Sequence, residues 1–178
     1  MIPTLSNGIL PRGKWMCTLN EFELTFVSNS TYTTPNSRKD LWDGLQVSLA
    51  ALKALRCKVP EILISGSFIT DKQSPDDIDV TFTVDGSTIL NQDTVSKIKR
   101  VVEELKTQNK VDGHVIFWHP VKGTTEARSG DQEAYLKARG FWDDFWQRFV
   151  PKPDRIPFQR HHAFPRQGYV VVIIDDYN

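Results

Sequence analysis

The chain has 178 residues with 22 basic and 22 acidic side chains, so its formal net charge is zero. That length suits a single domain with a proper core, and the balance removes any bulk-charge demand for DNA or an anionic membrane as partner. No apolar stretch reaches membrane-spanning length. The opening MIPTLSNGILPRGKW lacks a basic leader followed by an apolar run, so no secretory signal is expected. Cys17 and Cys57 form neither a disulfide framework nor a zinc motif; they read as two reduced thiols of a cytoplasmic protein.

In chain order, Thr18 with Glu21 three residues on is a capping box, and it predicts a short helix through Phe22, Leu24 and Phe26. A polar loop, SNSTYTTPNS, follows. Leu41, Leu45, Leu49, Leu52 and Leu55 then recur at steps of three and four, which predicts an amphipathic helix capped by Asn36 or Ser37. EILISGSF is a short apolar strand ending in glycine. DIDVTFTV alternates, with Ile78, Val80, Phe82 and Val84 on one face and Asp77, Asp79, Thr81 and Thr83 on the other. A helix over DTVSKIKRVVEELKTQN carries Val95, Ile98, Val102 and Leu105 on one stripe. VDGHVIFWHPV is a third strand, residues 121–133 a polar loop, and DQEAYLKARGFWDDFWQRFV a helix. PKPDRIP is a proline-rich connection and GYVVVIIDD a last, β-branched buried strand. The expected fold is α/β (α+β), a small mixed β-sheet flanked by helices. Residues 1–36 are expected to decorate a core at 37–120, and 121–178 to extend it with the last strand.

The chemistry concentrates at residues 64–80, ISGSFITDKQSPDDIDV. Asp77 and Asp79 are two apart on a strand, so both carboxylates leave one face. They repel each other unless a cation lies between them, and hard cations such as Mg²⁺ take oxygen ligands of this kind together with substrate phosphates. Gly66 at a strand end permits close backbone approach. Ser67 offers a hydroxyl and an N–H to a phosphate, and Lys72 in the loop adds positive charge. Metal-assisted phosphoryl or nucleotidyl transfer needs that combination. An ordinary hairpin is the competing reading, because Gly-Ser is a common turn pair and Asp at a strand start is unexceptional.

Gly66-Ser67, nine residues, then Asp77-Ile78-Asp79 resembles the signature of the nucleotidyltransferase superfamily, the polymerase-beta-like fold. More narrowly, GSFITDKQSPDDID, with Phe68, Thr70, Lys72 and Pro75, is similar to short bacterial and phage-encoded nucleotidyltransferase-like proteins of no settled function. GILPRGKWMCTLNEF is similar to their usual opening at Thr18, Glu21 and Phe22. The strong match covers residues 62–84 and a weaker one 8–57. The resemblance implies a small mixed sheet flanked by helices, two divalent metals (Mg²⁺ or Mn²⁺) and an NTP substrate. It also suggests as relatives the minimal nucleotidyltransferases of toxin–antitoxin modules, and with them a phage-defence setting. Superfamily members that catalyse transfer carry a third acid on a later strand. Asp112 is the candidate here, although Gly113 follows it where an apolar residue is usual.

Other features have plainer readings. His161-His162 are adjacent and lack further ligands at suitable spacing. His114 shares the parity of Asp112, and His119 lies beyond it. Phe141, Trp142, Phe145, Trp146 and Phe149 form a wide stripe, either core or a partner surface helped by Arg139, Arg148, Arg155, Arg160 and Arg166. Seven Lys or Arg fall within 137–166. Asp175-Asp176 reads as a solvated tail. Three functions remain open: an active nucleotidyltransferase acting on protein or RNA, with Asp77, Asp79 and Asp112 as metal and catalytic residues and Gly66, Ser67 and Lys72 on the nucleotide; a transfer-inactive binding module such as an antitoxin, inhibitor or nucleotide sensor; and a generic α/β domain.

Overall fold

A computed structural model describes residues 1–89, 91–121, 128–148 and 159–175. Five strands, β1 (Gly13–Thr18), β2 (Glu61–Ser65), β3 (Ile78–Asp85), β4 (Val111–Trp118) and β5 (Gly168–Ile173), form one mixed sheet in the order β1-β5-β2-β3-β4. β1 runs parallel to β5 and β3 to β4, while β2 is antiparallel to both its neighbours. The α/β character expected from the sequence is what the structure has. Helices α1 (Leu19–Phe26), α2 (Pro35–Ala54) and α3 (Gln92–Asn109) lie on one face and α4 (Gly130–Trp146) on the other.

The three-helix face holds the main core. Phe22 and Phe26 of α1, Leu41, Leu45, Leu49 and Leu52 of α2, and Ile98, Val102 and Leu105 of α3 are buried against Ile62, Ile64, Ile78, Val80, Phe82 and Val84. The expected α1 capping box is present, with Glu21 N–H donating to Thr18 Oγ1 at 3.2 Å and Thr18 N–H to the Glu21 carboxylate at 2.8 Å. α2 begins earlier than its leucines imply. Pro35 takes the first helical position, which needs no N–H donor, and Thr34 precedes it as cap while its hydroxyl donates to Gln73 O at 2.6 Å.

Three further differences matter for the site. Gly13–Thr18 was not expected to be a strand, yet it forms a sheet edge: Trp15 and Cys17 turn inward, but Met16 on the outer face is 52% exposed, and this outward apolar residue blurs the alternation. β5 lies between β1 and β2, so the end of the C-terminal segment sits inside the sheet; its unbroken apolar run suits a strand buried on both faces. Thr81 and Thr83 were expected on the polar face with Asp77 and Asp79, and both are buried, Thr81 under α4. Burial of the Thr81 hydroxyl is tolerable because it accepts a hydrogen bond from the Trp146 indole N–H at 3.0 Å. α4 also takes in residues 130–133, with Ser129 and Gln132 as its capping box. Phe149, Arg155, the PKPDRIP connection and Asp176 lie outside the described residues.

Cys17 and Cys57 are free and buried. Burial, with Glu21 nearby, pushes the Cys17 thiol up to about 12 from a usual 9.0. Both states are neutral below that usual value. Above it the unfolded chain ionises first, so the contribution of Cys17 to stability is lost as pH rises from 9.0 towards 12. The folded protein is expected to resist a disulfide reagent at pH values near neutrality and to expose both thiols on unfolding; rapid labelling of Cys17 in the native protein would show that α1 opens readily.

Candidate functional site

The acids come together through strand register. Ser65 of β2 pairs with Asp79 of β3, and Asp79 pairs with Asp112 of β4, so the three stand in one row across the sheet. Cross-strand partners share a face. Ser65 Oγ donates to Trp146 O at 3.0 Å, which places this row on the α4 face, at the end of the sheet where β3 begins. Asp77, two residues before Asp79, has the same parity. His114 lies two further along β4 from Asp112 and stacks on Trp142 with ring centroids 4.2 Å apart. Burial lowers its pKa, opposed by the Asp112 carboxylate, so the imidazole is held towards its neutral form.

Gly66 follows β2 with φ +70° and faces the Asp79 side chain. A Cβ there would overlap that carboxylate, sitting 2.6 Å from its Cγ. The glycine is thus required twice, by its left-handed backbone and by the approach of Asp79. Ser67, Phe68 and Ile69 continue as a single 3₁₀ turn, closed by Thr70 Oγ1 donating to Ser67 O at 2.7 Å. Lys72 is exposed in the following loop, and its ammonium donates to Asp76 at 2.7 Å.

Two basic residues that sequence reasoning did not single out organise this region. Lys106, on the last turn of α3, donates to both oxygens of Asp112 at 2.9 Å. That hydrogen bond, with the charges of Asp112, Asp77 and Asp79, raises its pKa. An ammonium supplied by the chain therefore bonds Asp112 and feels the charges of Asp77 and Asp79. β4 is the sheet edge, which is how a side chain from the opposite layer reaches Asp112. Arg38 on α2 is fully buried and donates to the carbonyls of Phe26, Phe68, Thr70 and Lys72 at 2.9, 2.7, 3.0 and 2.6 Å. Its guanidinium lies 3.6 Å from the Tyr32 ring centroid. Arg38 thereby fastens the whole stretch after Gly66-Ser67 to α2.

Gly113, which departs from the apolar residue expected after Asp112, has a packing reason. A Cβ there would come 2.9 Å from Val102 Cγ1 and 3.1 Å from Phe82 Cε2, so the glycine lets α3 lie close on the strand. The donor chemistry of Asp77, Asp79 and Asp112 fits a hard divalent cation, and the missing Cβ of Gly66 gives Asp79 its place. Among the described residues, however, no three His, Cys, Asp or Glu side chains are gathered closely enough to hold a metal ion. Mg²⁺ is usually held by one or two carboxylates with substrate phosphates and water, so Asp77 and Asp79 are the pair that fits it. The remaining candidates have other partners. His162 Nδ1 accepts from Gln159 N–H at 2.9 Å, and Asp175, expected as solvated tail, pairs with Lys53 at 3.5 Å.

None of the described helices is long and apolar enough to cross a membrane. No curated protein and no solved structure matches the chain. The profile of a family of unknown function, DUF6932, matches residues 2–172, a span that includes the Gly-Ser turn, the three acids and both organising cations; the chain belongs to that family.

Proposed function

We propose that the chain is a metal-dependent nucleotidyltransferase that moves a nucleoside monophosphate from an NTP to a hydroxyl of protein or RNA. The observation that carries this reading is the row Ser65–Asp79–Asp112, with Gly66 against the Asp79 carboxylate. Asp77 and Asp79 would hold Mg²⁺ or Mn²⁺, with Asp112 beside them. The cation would supply charge neutralisation along the triphosphate. Backbone N–H groups of Gly66 and Ser67 would meet phosphate oxygens, and Lys72 would exchange Asp76 for the nucleotide. In the transfer, the acceptor oxygen bonds to the α-phosphorus, the bond from that phosphorus to its bridging oxygen breaks, and pyrophosphate leaves with the electron pair. Asp112 would take the acceptor's proton. The reading places the protein in the cytoplasm, where NTPs are available and thiols such as Cys17 and Cys57 stay reduced. A toxin–antitoxin or phage-defence setting is the context that the resemblance of GSFITDKQSPDDID supports.

The acceptor or cognate partner would meet the C-terminal third. On α4, Trp146 is buried and Trp142 and Phe145 are half-buried, whereas Phe141 is 58% exposed; beyond the helix, Phe164 is 61% exposed. Arg160 and Arg166 are exposed in the same stretch as Phe164. Exposed aromatics and arginines are the residue types that dominate interface energetics.

One observation favours the transfer-inactive reading, a nucleotidyltransferase-like binding module: Lys106 already neutralises Asp112. The direct test incubates the protein with each α-labelled NTP, Mg²⁺ or Mn²⁺, and a cell lysate. Label on a macromolecule supports transfer, and nucleotide binding without transfer supports the module. A variant asks what Lys106 does. Lys106→Met removes the competing ammonium, and because the pair is largely exposed the effect is modest, a roughly two- to fivefold gain in Mn²⁺ affinity by EPR titration. A loss of Mn²⁺ affinity would instead mean that Lys106 holds Asp112 in place for the cation.

A further inference from the structure

A cleft of about 510 Å³ opens on the α4 face, with Glu61, Thr83 and Trp118 at the far end of the sheet from the acids. Its floor is Glu61 and Thr83, and its walls carry Tyr135 and Arg139 of α4, Trp118 at the end of β4, and Lys14 of β1. Thr83 is four residues along β3 from Asp79, about 13 Å at strand spacing, so the two places are distinct. The volume is that of a small-molecule site.

The cleft is lined by two cations, Lys14 and Arg139, and two carboxylates, Glu61 and Asp175, and the ion pairs among them leave Lys14 over. Of its two carboxylates, Glu61 is paired with Arg139 and Asp175 with Lys53. Lys14 has no ion-pair partner among the described residues, and its side chain is exposed to the cleft. Arg139 meets Glu61 through Nη1, and the described residues provide no acceptor for its Nε and Nη2. Two cations from opposite walls, one on β1 and one on α4, therefore face the same space with donors to spare. The Glu61–Arg139 pair is mostly buried, with side chains 20% and 16% exposed. Such a pair is a poor source of stability, because desolvation offsets its attraction, but it fixes the guanidinium fork in position. Tyr135 adds a flat surface on which a ring can lie.

From this arrangement we infer that the cleft binds a small planar organic anion, a ring bearing a carboxylate or a phosphate, with its oxyanion between Lys14 and Arg139 and its ring against Tyr135. This assignment is independent of the nucleotidyltransferase reading, because it uses none of the residues of the acid row.

The test is calorimetric titration of the full chain with benzoate, phenyl phosphate and, as a ringless control, acetate. Saturable binding of benzoate or phenyl phosphate is expected, with whichever binds more tightly identifying the oxyanion, and acetate binding more weakly than both. Lys14→Gln, a change at an exposed position that should leave folding intact, is expected to weaken binding about tenfold, as for loss of one charge-assisted hydrogen bond. Tyr135→Ala should weaken it as well, and Asp79→Asn should leave it unchanged. Absence of saturable binding into the millimolar range, acetate binding as well as benzoate, indifference to Lys14→Gln, or loss in Asp79→Asn would each overturn the assignment.

Discussion

Replacing Arg38 by methionine is expected to lower the melting temperature by roughly 10 °C. The side chain is fully buried, has no carboxylate partner among the described residues, and its two terminal nitrogens donate to four main-chain carbonyls beside the Tyr32 ring, while Nε has no hydrogen-bond partner among the described residues. Burial lowers its pKa, although an arginine stays charged. Removing it takes hydrogen-bond donors from the carbonyls of Phe26, Phe68, Thr70 and Lys72. An unsatisfied buried acceptor costs about 1–3 kcal/mol, and relief of the buried charge returns part of that. A net loss of roughly 3–4 kcal/mol follows, which at about 2–4 °C per kcal/mol for a chain of this size gives the stated shift. Lysine should recover less than half, because one ammonium cannot reach carbonyls arranged around a planar fork. Hydrogen exchange should quicken first at residues 68–72. If Arg38→Met melts with the parent, the desolvation cost of the guanidinium outweighs its bonds, and the loop is held by something else.

The second large effect is on chemistry. Asp77→Asn and Asp79→Asn are each expected to lower any transfer activity by on the order of 10³-fold, with stability within about 1 kcal/mol of the parent. Each variant loses an attraction to Lys106 and a repulsion from the neighbouring acids, so the two changes oppose each other in the metal-free protein. Thermal melts with and without Mg²⁺ separate the cases. A variant that melts several degrees lower without metal would mean that the aspartate is a structural residue of the β3 start. An unchanged transfer rate would remove both acids from the site.

Much of this arrangement was legible in the sequence because it is local. Helical spacing, the Thr18–Glu21 capping box, the glycine that ends β2 and the parity of Asp77 with Asp79 all lie within a few residues of one another. Asp112 was visible as a candidate, and the register that sets it beside Asp79 belongs to a pairing between strands more than 25 residues apart. β1 was hidden by Met16 on its outer face. The central place of β5 depends on two partners far away in sequence, although its unbroken apolar run fits that place. Arg38 and Lys106 were missed for a shared reason. In SRKD and EELKTQNK each is one of two basic residues in a polar stretch, and only tertiary packing turns the first inward and carries the second round the sheet edge.

Mn²⁺-dependent nucleotide binding tests the central claim most directly, because it needs no knowledge of the acceptor. The parent chain, Asp77→Asn and Asp79→Asn would be titrated with a non-hydrolysable NTP analogue in the presence and absence of Mn²⁺. The account predicts saturable binding by the parent that requires the metal and is lost in both variants. Failure of the parent to bind, or binding that persists unchanged in Asp77→Asn and Asp79→Asn, would contradict it.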